Sequence, residues 1–104
     1  MRTIEQGDII KIDRGKVPFL VVSSDYFNSS GMLVVCPIVP SADEDALHVR
    51  IRGQRTEGVV LCEDIVSFSA RKRGCTSIDR IQTGELLEII YRIQSIFDFF
   101  PHAK

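Results

Sequence analysis

The sequence predicts a mainly β domain closed by one C-terminal α-helix: a small, strongly curved antiparallel sheet or barrel with the helix covering an open face. Three observations predict it. Short β-rich runs, punctuated by glycine, proline and polar clusters, recur from residue 7 to residue 69. From Thr83 the apolar period changes from the alternation of a strand to that of a helix. Strands first and a helix last is the order of a sheet covered on one face, not of interleaved strands and helices.

The first strand is expected over Gly7–Asp13, which alternates apolar with polar from Ile10 and stops at Arg14-Gly15-Lys16. Pro18 precedes the second, Phe19–Val22, which is apolar throughout and so buried on both faces, ending in the turn pair Ser23-Ser24. Asp25–Asn28 can form one helical turn, and Asn28–Gly31 is a loop by composition. Met32–Cys36 is a third strand, ended by Pro37 and Pro40 because proline cannot donate to a central ladder. Ser41–Asp45 is polar and acidic, hence exposed. In Leu47–Arg52 strict alternation turns Leu47, Val49 and Ile51 inward and gathers His48, Arg50 and Arg52 on the other face. Gly53–Gly58 leads to a fifth strand, Val59–Cys62; Glu63 and Asp64 follow, then a short sixth, Ile65–Ser69, and the basic turn Arg71–Arg73 before Gly74. No element is assigned between Gly74 and Thr83. In the helix, Leu86, Ile89, Ile90, Ile93, Ile96, Phe97 and Phe100 share one stripe; Thr83 is the expected N-cap, Glu85 suits the first turn, and Pro101 forbids continuation.

At 104 residues the chain fits one domain over 1–104 with a single core. Its hydrophobic and charged contents, 44% and 26%, are those of a globular protein, so disorder is not expected. A net charge of -1 excludes a globally basic nucleic-acid coat; any RNA or DNA contact must come from a local patch. No run approaches the roughly 18 apolar residues of a membrane span, and Met1–Gln6 lacks a signal-type apolar region, so the expected location is cytoplasmic, with no membrane partner. Three cysteines are an odd set without CxxC spacing, and Cys36 and Cys62 sit in apolar runs as buried reduced thiols would; no metal site and no cofactor are expected.

Gly7-Asp8-Ile9, Pro18-Phe19-Leu20-Val21-Val22-Ser23, Asn28, Cys36-Pro37-Ile38, Gly58-Val59-Val60-Leu61, Ser67 and Arg71-Lys72-Arg73-Gly74, taken in order, resemble the MazF/PemK family of bacterial toxins over almost the whole chain. The resemblance implies a compact SH3-like antiparallel barrel of the CcdB/MazF/PemK type and a homodimer. It also implies cleavage of single-stranded mRNA without a metal, and a cognate antitoxin whose acidic flexible tail wraps the toxin. The same barrel serves gyrase-binding toxins, so a non-enzymatic gyrase binder or an inactive antitoxin-binding barrel is the alternative.

Such cleavage needs a base for the 2′-hydroxyl, an acid for the leaving oxygen and a cation for the phosphorane. Members carry Gly-x-Arg-Pro with a catalytic arginine, where this chain reads Gly15-Lys16-Val17-Pro18, and a threonine where it has Val39. The first loop is shortened to Asp13–Val17. Leu61 and Glu63 stand where some members carry an arginine and an aspartate, and Asp64 replaces a common glutamine. The catalytic candidates are therefore Lys16 and Glu63, and the RNA-binding candidates Arg14, Lys16, Arg71, Arg73 and His48. Each has a plainer reading as well: Glu63 as a salt-bridged corner, Lys16 and Arg14 as surface charge, His48 as part of a solvated strand face.

Overall fold

A computed structural model describes residues 3–99 and 101. The elements are β1 (Asp8–Ile12), β2 (Phe19–Val21), α1 (Asp25–Asn28), β3 (Met32–Val39), β4 (His48–Arg52), β5 (Glu57–Leu61), β6 (Val66–Ser69), α2 (Ala70–Arg73), β7 (Cys75–Arg80) and α3 (Thr83–Ile96). All strand pairs are antiparallel, in the path β4-β5-β3-β2-β1-β7, with β6 laid against β3 beside β5. This is the expected mainly β half-barrel with a C-terminal helix.

Register divides the side chains between two faces. Ile9, Leu20, Cys36, Ile38 and Val60 join Ile51 and Ile81 in a layer that α3 covers with Ile89, and Leu86, Ile90 and Ile93 pack at its margin. The opposite face carries Ile10, Ile12, Val21, Leu33 and Val35, flanked by Phe19 and Phe68. Ile89 is fully buried, which contributes about 1.5–3 kcal/mol relative to leaving it exposed.

Four local expectations are corrected. β3 does not end at Pro37 but continues to Val39. The Ile38 N–H points to β2, bonding the Pro18 carbonyl at 2.9 Å, so by alternation the Pro37 nitrogen points to the other side, where β3 changes partner from β6 (Val35↔Val66) to β5 (Ile38↔Val60). The missing donor falls in that gap. The unassigned stretch after Gly74 contains β7, paired with β1. The α3 N-cap is Gln82, without a side-chain cap, not Thr83. The core stripe of α3 stops at Ile93; Ile96 and Phe97 are 40% and 70% exposed and the helix ends at Ile96, ahead of Pro101. Phe100 and His102 lie outside the described residues.

The two ends of the sheet path are tied by side chains. The Asp79 carboxylate on β7 accepts backbone N–H bonds from Gln54, Arg55 and Thr56 at the β4–β5 turn (3.2, 2.8 and 2.8 Å). Glu85 in the first turn of α3 accepts from the Arg52 N–H at 3.0 Å. Gly58 is needed where β5 meets β3, since a Cβ there would stand 2.7 Å from the Val39 carbonyl oxygen.

Candidate functional site

The first cluster is a basic pole. Ile12 pairs with Cys75, and the Asp13 N–H bonds the Gly74 carbonyl at 3.1 Å, which brings the β1–β2 turn against α2. Gly74 has φ +78° and faces the Asp13 carboxylate so closely that a Cβ would collide with it; glycine is what lets the basic turn close. Residues 11–16 and 71–73 together hold six cations, Lys11, Arg14, Lys16, Arg71, Lys72 and Arg73, against one carboxylate, Asp13, in a chain whose net charge is -1. Among the described residues none of these six has a carboxylate within ion-pair distance, whereas Arg50, Arg52, Arg80 and Arg92 are paired with Glu44, Glu57, Asp8 and Glu88.

Within this pole a groove of about 210 Å³ is lined by Ile12, Gly15, Lys16, Val17, Phe19, Val66, Phe68 and Arg73. Its floor follows from register: Phe19 on β2, and Val66 and Phe68 on β6, lie on the face that carries Val35 and Leu33. Lys16 and Arg73 are exposed at its mouth. Val17, at the position of the family's catalytic arginine, opens into the same groove. Val39, at the threonine position, pairs with Val59 at the end of β3. Arg14 supports the turn with φ 67°, and Arg71 folds toward Gly31 at the start of β3.

The second cluster centres on His48 and Glu63. Glu63 occupies the turn after β5, closed by Asp64 N–H to the Leu61 carbonyl at 3.1 Å. His48 Nε2 lies 2.9 Å from Glu63 Oε2, and Nδ1 lies 3.0 Å from the Asp43 carbonyl oxygen and 3.4 Å from Asp45 Oδ2. With an acceptor at each ring nitrogen, imidazolium is the form that satisfies both. The Glu63 hydrogen bond first, then the Asp43 carbonyl, raise the His48 pKa above the ordinary imidazole value; the same bond lowers Glu63 below the usual carboxylate range.

Of the candidates read from the sequence, Lys16 and Arg73 share the groove, with Arg14 and Arg71 on the surrounding pole. Glu63 and His48 pair with each other, and neither lines the groove. The stripe His48, Arg50 and Arg52 is neutralised residue by residue, by Glu63, Glu44 and Glu57. Sequence reasoning missed the groove floor, because Phe19, Val66 and Phe68 read as ordinary strand core. Among the described residues no three His, Cys, Asp or Glu side chains converge as metal ligands. Cys36 and Cys62 are free and buried, and burial pushes their thiols up to about 12 and about 11, so neither is a nucleophile.

Residues 5–97 match the sequence profile of the PemK-like, MazF-like toxins of type II toxin–antitoxin systems. A search of curated proteins returned no match. Among solved structures, the fold is similar to MazE–MazF from Deinococcus radiodurans (TM-score 0.83, 22% identity, covering 93% of this chain and 98% of that one). It is also similar to MazF from the same organism (0.82, 20%, 93% and 98%), and to a mycobacterial endoribonuclease in complex with its cognate antitoxin (0.79, 16%, 94% and 99%).

Proposed function

The chain belongs to the PemK-like, MazF-like toxin family of type II toxin–antitoxin systems, and from that premise we propose that residues 1–104 act as one toxin domain that binds and cleaves single-stranded RNA. The observation that carries this reading is the groove of the basic pole: two cations without carboxylate partners, Lys16 and Arg73, stand over an aromatic floor. Unneutralised cations attract a phosphate chain, and aromatic rings accept unstacked bases, a combination suited to single strands. Lys16 and Arg73 hold the scissile phosphate, and Lys16 stabilises the charge that develops as the 2′-hydroxyl attacks. The base is to be assigned by mutation: Glu63, the candidate read from the sequence, is held by His48 outside the groove that binds the phosphate. The active form is a cytoplasmic homodimer, neutralised by an antitoxin whose acidic tail meets the basic pole.

The test is cleavage of end-labelled single-stranded RNA in EDTA. Cleavage is expected to leave a cyclic phosphate and to be abolished by 2′-deoxy substitution at the cut site, and Lys16→Ala to slow it at unchanged folding. Glu63→Gln separates two roles. Slower cleavage at unchanged RNA affinity assigns Glu63 the base; full activity leaves the His48–Glu63 pair a clamp between β4 and the turn after β5. In cells, induction should arrest growth and produce new mRNA 5′ ends at a short recurrent sequence. Arrest with intact mRNA and broken DNA would instead indicate gyrase.

A second reading is a barrel that binds RNA or antitoxin without cutting. It is favoured by Val17 and Val39 at two catalytic positions of the family, and by a groove lined by no carboxylate or imidazole. Growth unaffected by induction, with RNA bound but intact, would establish it.

A further inference from the structure

We propose that the acidic segment 41–44, between β3 and β4, is a strap that a proton on the His48 ring holds shut against β4. This holds whether or not the protein cuts RNA. No residue from Ser41 to Ala46 is buried, so apolar packing does not anchor the segment. Among the described residues no backbone hydrogen bond reaches residues 41–44. Two side chains of β4 fasten it instead. His48 Nδ1 lies 3.0 Å from the Asp43 carbonyl oxygen, and Arg50 Nε donates to Glu44 Oε2 at 3.1 Å. The second fastening is an exposed ion pair, too weak by itself to offset the entropy of ordering several residues. Closure therefore turns on His48.

The ring nitrogens face only acceptors. Nε2 meets Glu63 Oε2 at 2.9 Å, while Nδ1 meets the Asp43 carbonyl and, at 3.4 Å, Asp45 Oδ2. Imidazolium donates from both nitrogens; neutral imidazole donates from one and turns a lone pair outward at the other. The remaining proton stays on Nε2, because a carboxylate is a stronger acceptor than a carbonyl. Nδ1 then sets a lone pair against the Asp43 and Asp45 oxygens, and attraction becomes repulsion. Asp45 is held in place, since its Oδ1 accepts the Leu47 and His48 N–H groups at 2.8 and 3.0 Å. Asp43 is not, so the strap opens between Asp45 and β3. Of the other charges nearby, Asp64 follows Glu63 on its turn, and Arg50 and Arg92 line the same depression as Glu44 and Asp45, with Arg92 paired to Glu88 on α3. Glu63 first, then the Asp43 carbonyl, raise the His48 pKa. The strap is thus shut below the ordinary imidazole value and released as pH rises through the raised one. Release takes Glu44 from Arg50, and the neutralised β4 face gains a free cation.

The experiment is NMR relaxation of the backbone Cα positions in the full labelled chain, below and above the His48 midpoint given by its own ring signals. Order parameters of residues 41–44 are expected near about 0.85 below the midpoint and under about 0.6 above it, with β1 and β7 unchanged so that unfolding is not mistaken for release. Glu63→Gln removes the charged acceptor that sustains the imidazolium, so the His48 midpoint and the opening of the strap should move down in pH together. His48→Gln cannot titrate, and its strap should be equally ordered at both pH values. A wild-type strap equally ordered on both sides of the midpoint overturns the proposal. So does an opening that stays in place when Glu63→Gln moves the His48 midpoint, or one that persists in His48→Gln.

Discussion

Arg14 holds φ 67° in the turn between β1 and β2, where a side chain with a Cβ costs about 1–2 kcal/mol. The turn is closed by Gly15 N–H to the Ile12 carbonyl at 2.7 Å, so its backbone is held whatever residue stands at 14. Arg14→Gly should therefore raise stability by about 1 kcal/mol in urea unfolding while lowering RNA affinity; a gain in both would show that the cation does nothing for binding. His48 and Glu63 make the pH dependence. The raised pKa of His48 contributes stability fully present below the ordinary imidazole value and lost as pH rises through the folded one. The lowered pKa of Glu63 contributes stability present above the ordinary carboxylate value and lost as pH falls through the folded one. Their bond is thus strongest between those limits, and salt weakens it because Glu63 is exposed and His48 only partly buried. In an NMR titration His48 should titrate above a free imidazole, and Glu63→Gln should bring it down; no movement would mean that the pair does not persist in solution. The residue types of the site could be read from the sequence, but their pairing could not. Lys16 meets Arg73, and His48 meets Glu63, only through strand register, which composition does not encode.

The Asp79 cradle does for the ends of the sheet what a strand pair would do in a closed barrel. Burial pushes the Asp79 carboxyl up, yet the bonds from Arg55, Arg80, Thr56 and Gln54 outweigh it and hold the group below the usual carboxylate range. Its contribution is therefore lost as pH falls through that lowered value. Asp79→Ala leaves three hairpin N–H groups without their partner and should cost about 1–2 kcal/mol, with faster amide exchange confined to residues 53–57; uniform exchange would point to general destabilisation. Six of the seven strands follow from alternation and turn residues. β7 escaped because its inward positions hold Cys75, Ser77 and Asp79 while its one large apolar residue, Ile78, faces outward at 38% exposure, so the hydrophobic signal is inverted. β3 was cut short for a different reason. Proline excludes a ladder bond only on the side its nitrogen faces, and at Pro37 that side is the gap between two partners. The end of α3 was overextended because the apolar period continues past the last covered turn.

At the scale of the molecule, charge is sorted. The β4 face and α3 carry cations matched one to one by carboxylates, while the six cations around the β1–β2 turn and α2 have a single acid among them. A net charge near zero therefore conceals a strong local field, and a polyanion approaching the protein should orient before it touches. Each phosphate neutralised on a single strand releases counterions worth about 0.7 in the slope of log affinity against log salt. Removing one cation of the pole, as in Arg73→Ala, should therefore lower that slope by about 0.7. Removing a paired one, as in Arg52→Ala, should leave it unchanged, although the two side chains carry the same charge. The comparison holds net charge constant between the variants, so it isolates position. If both variants shift the slope equally, the protein attracts RNA through its overall charge and the pole has no special standing. If only Arg73→Ala does, the ion pairs of β4 have a functional meaning of their own: they keep that face electrically silent and leave one direction from which RNA, or an acidic antitoxin tail competing with it, can bind.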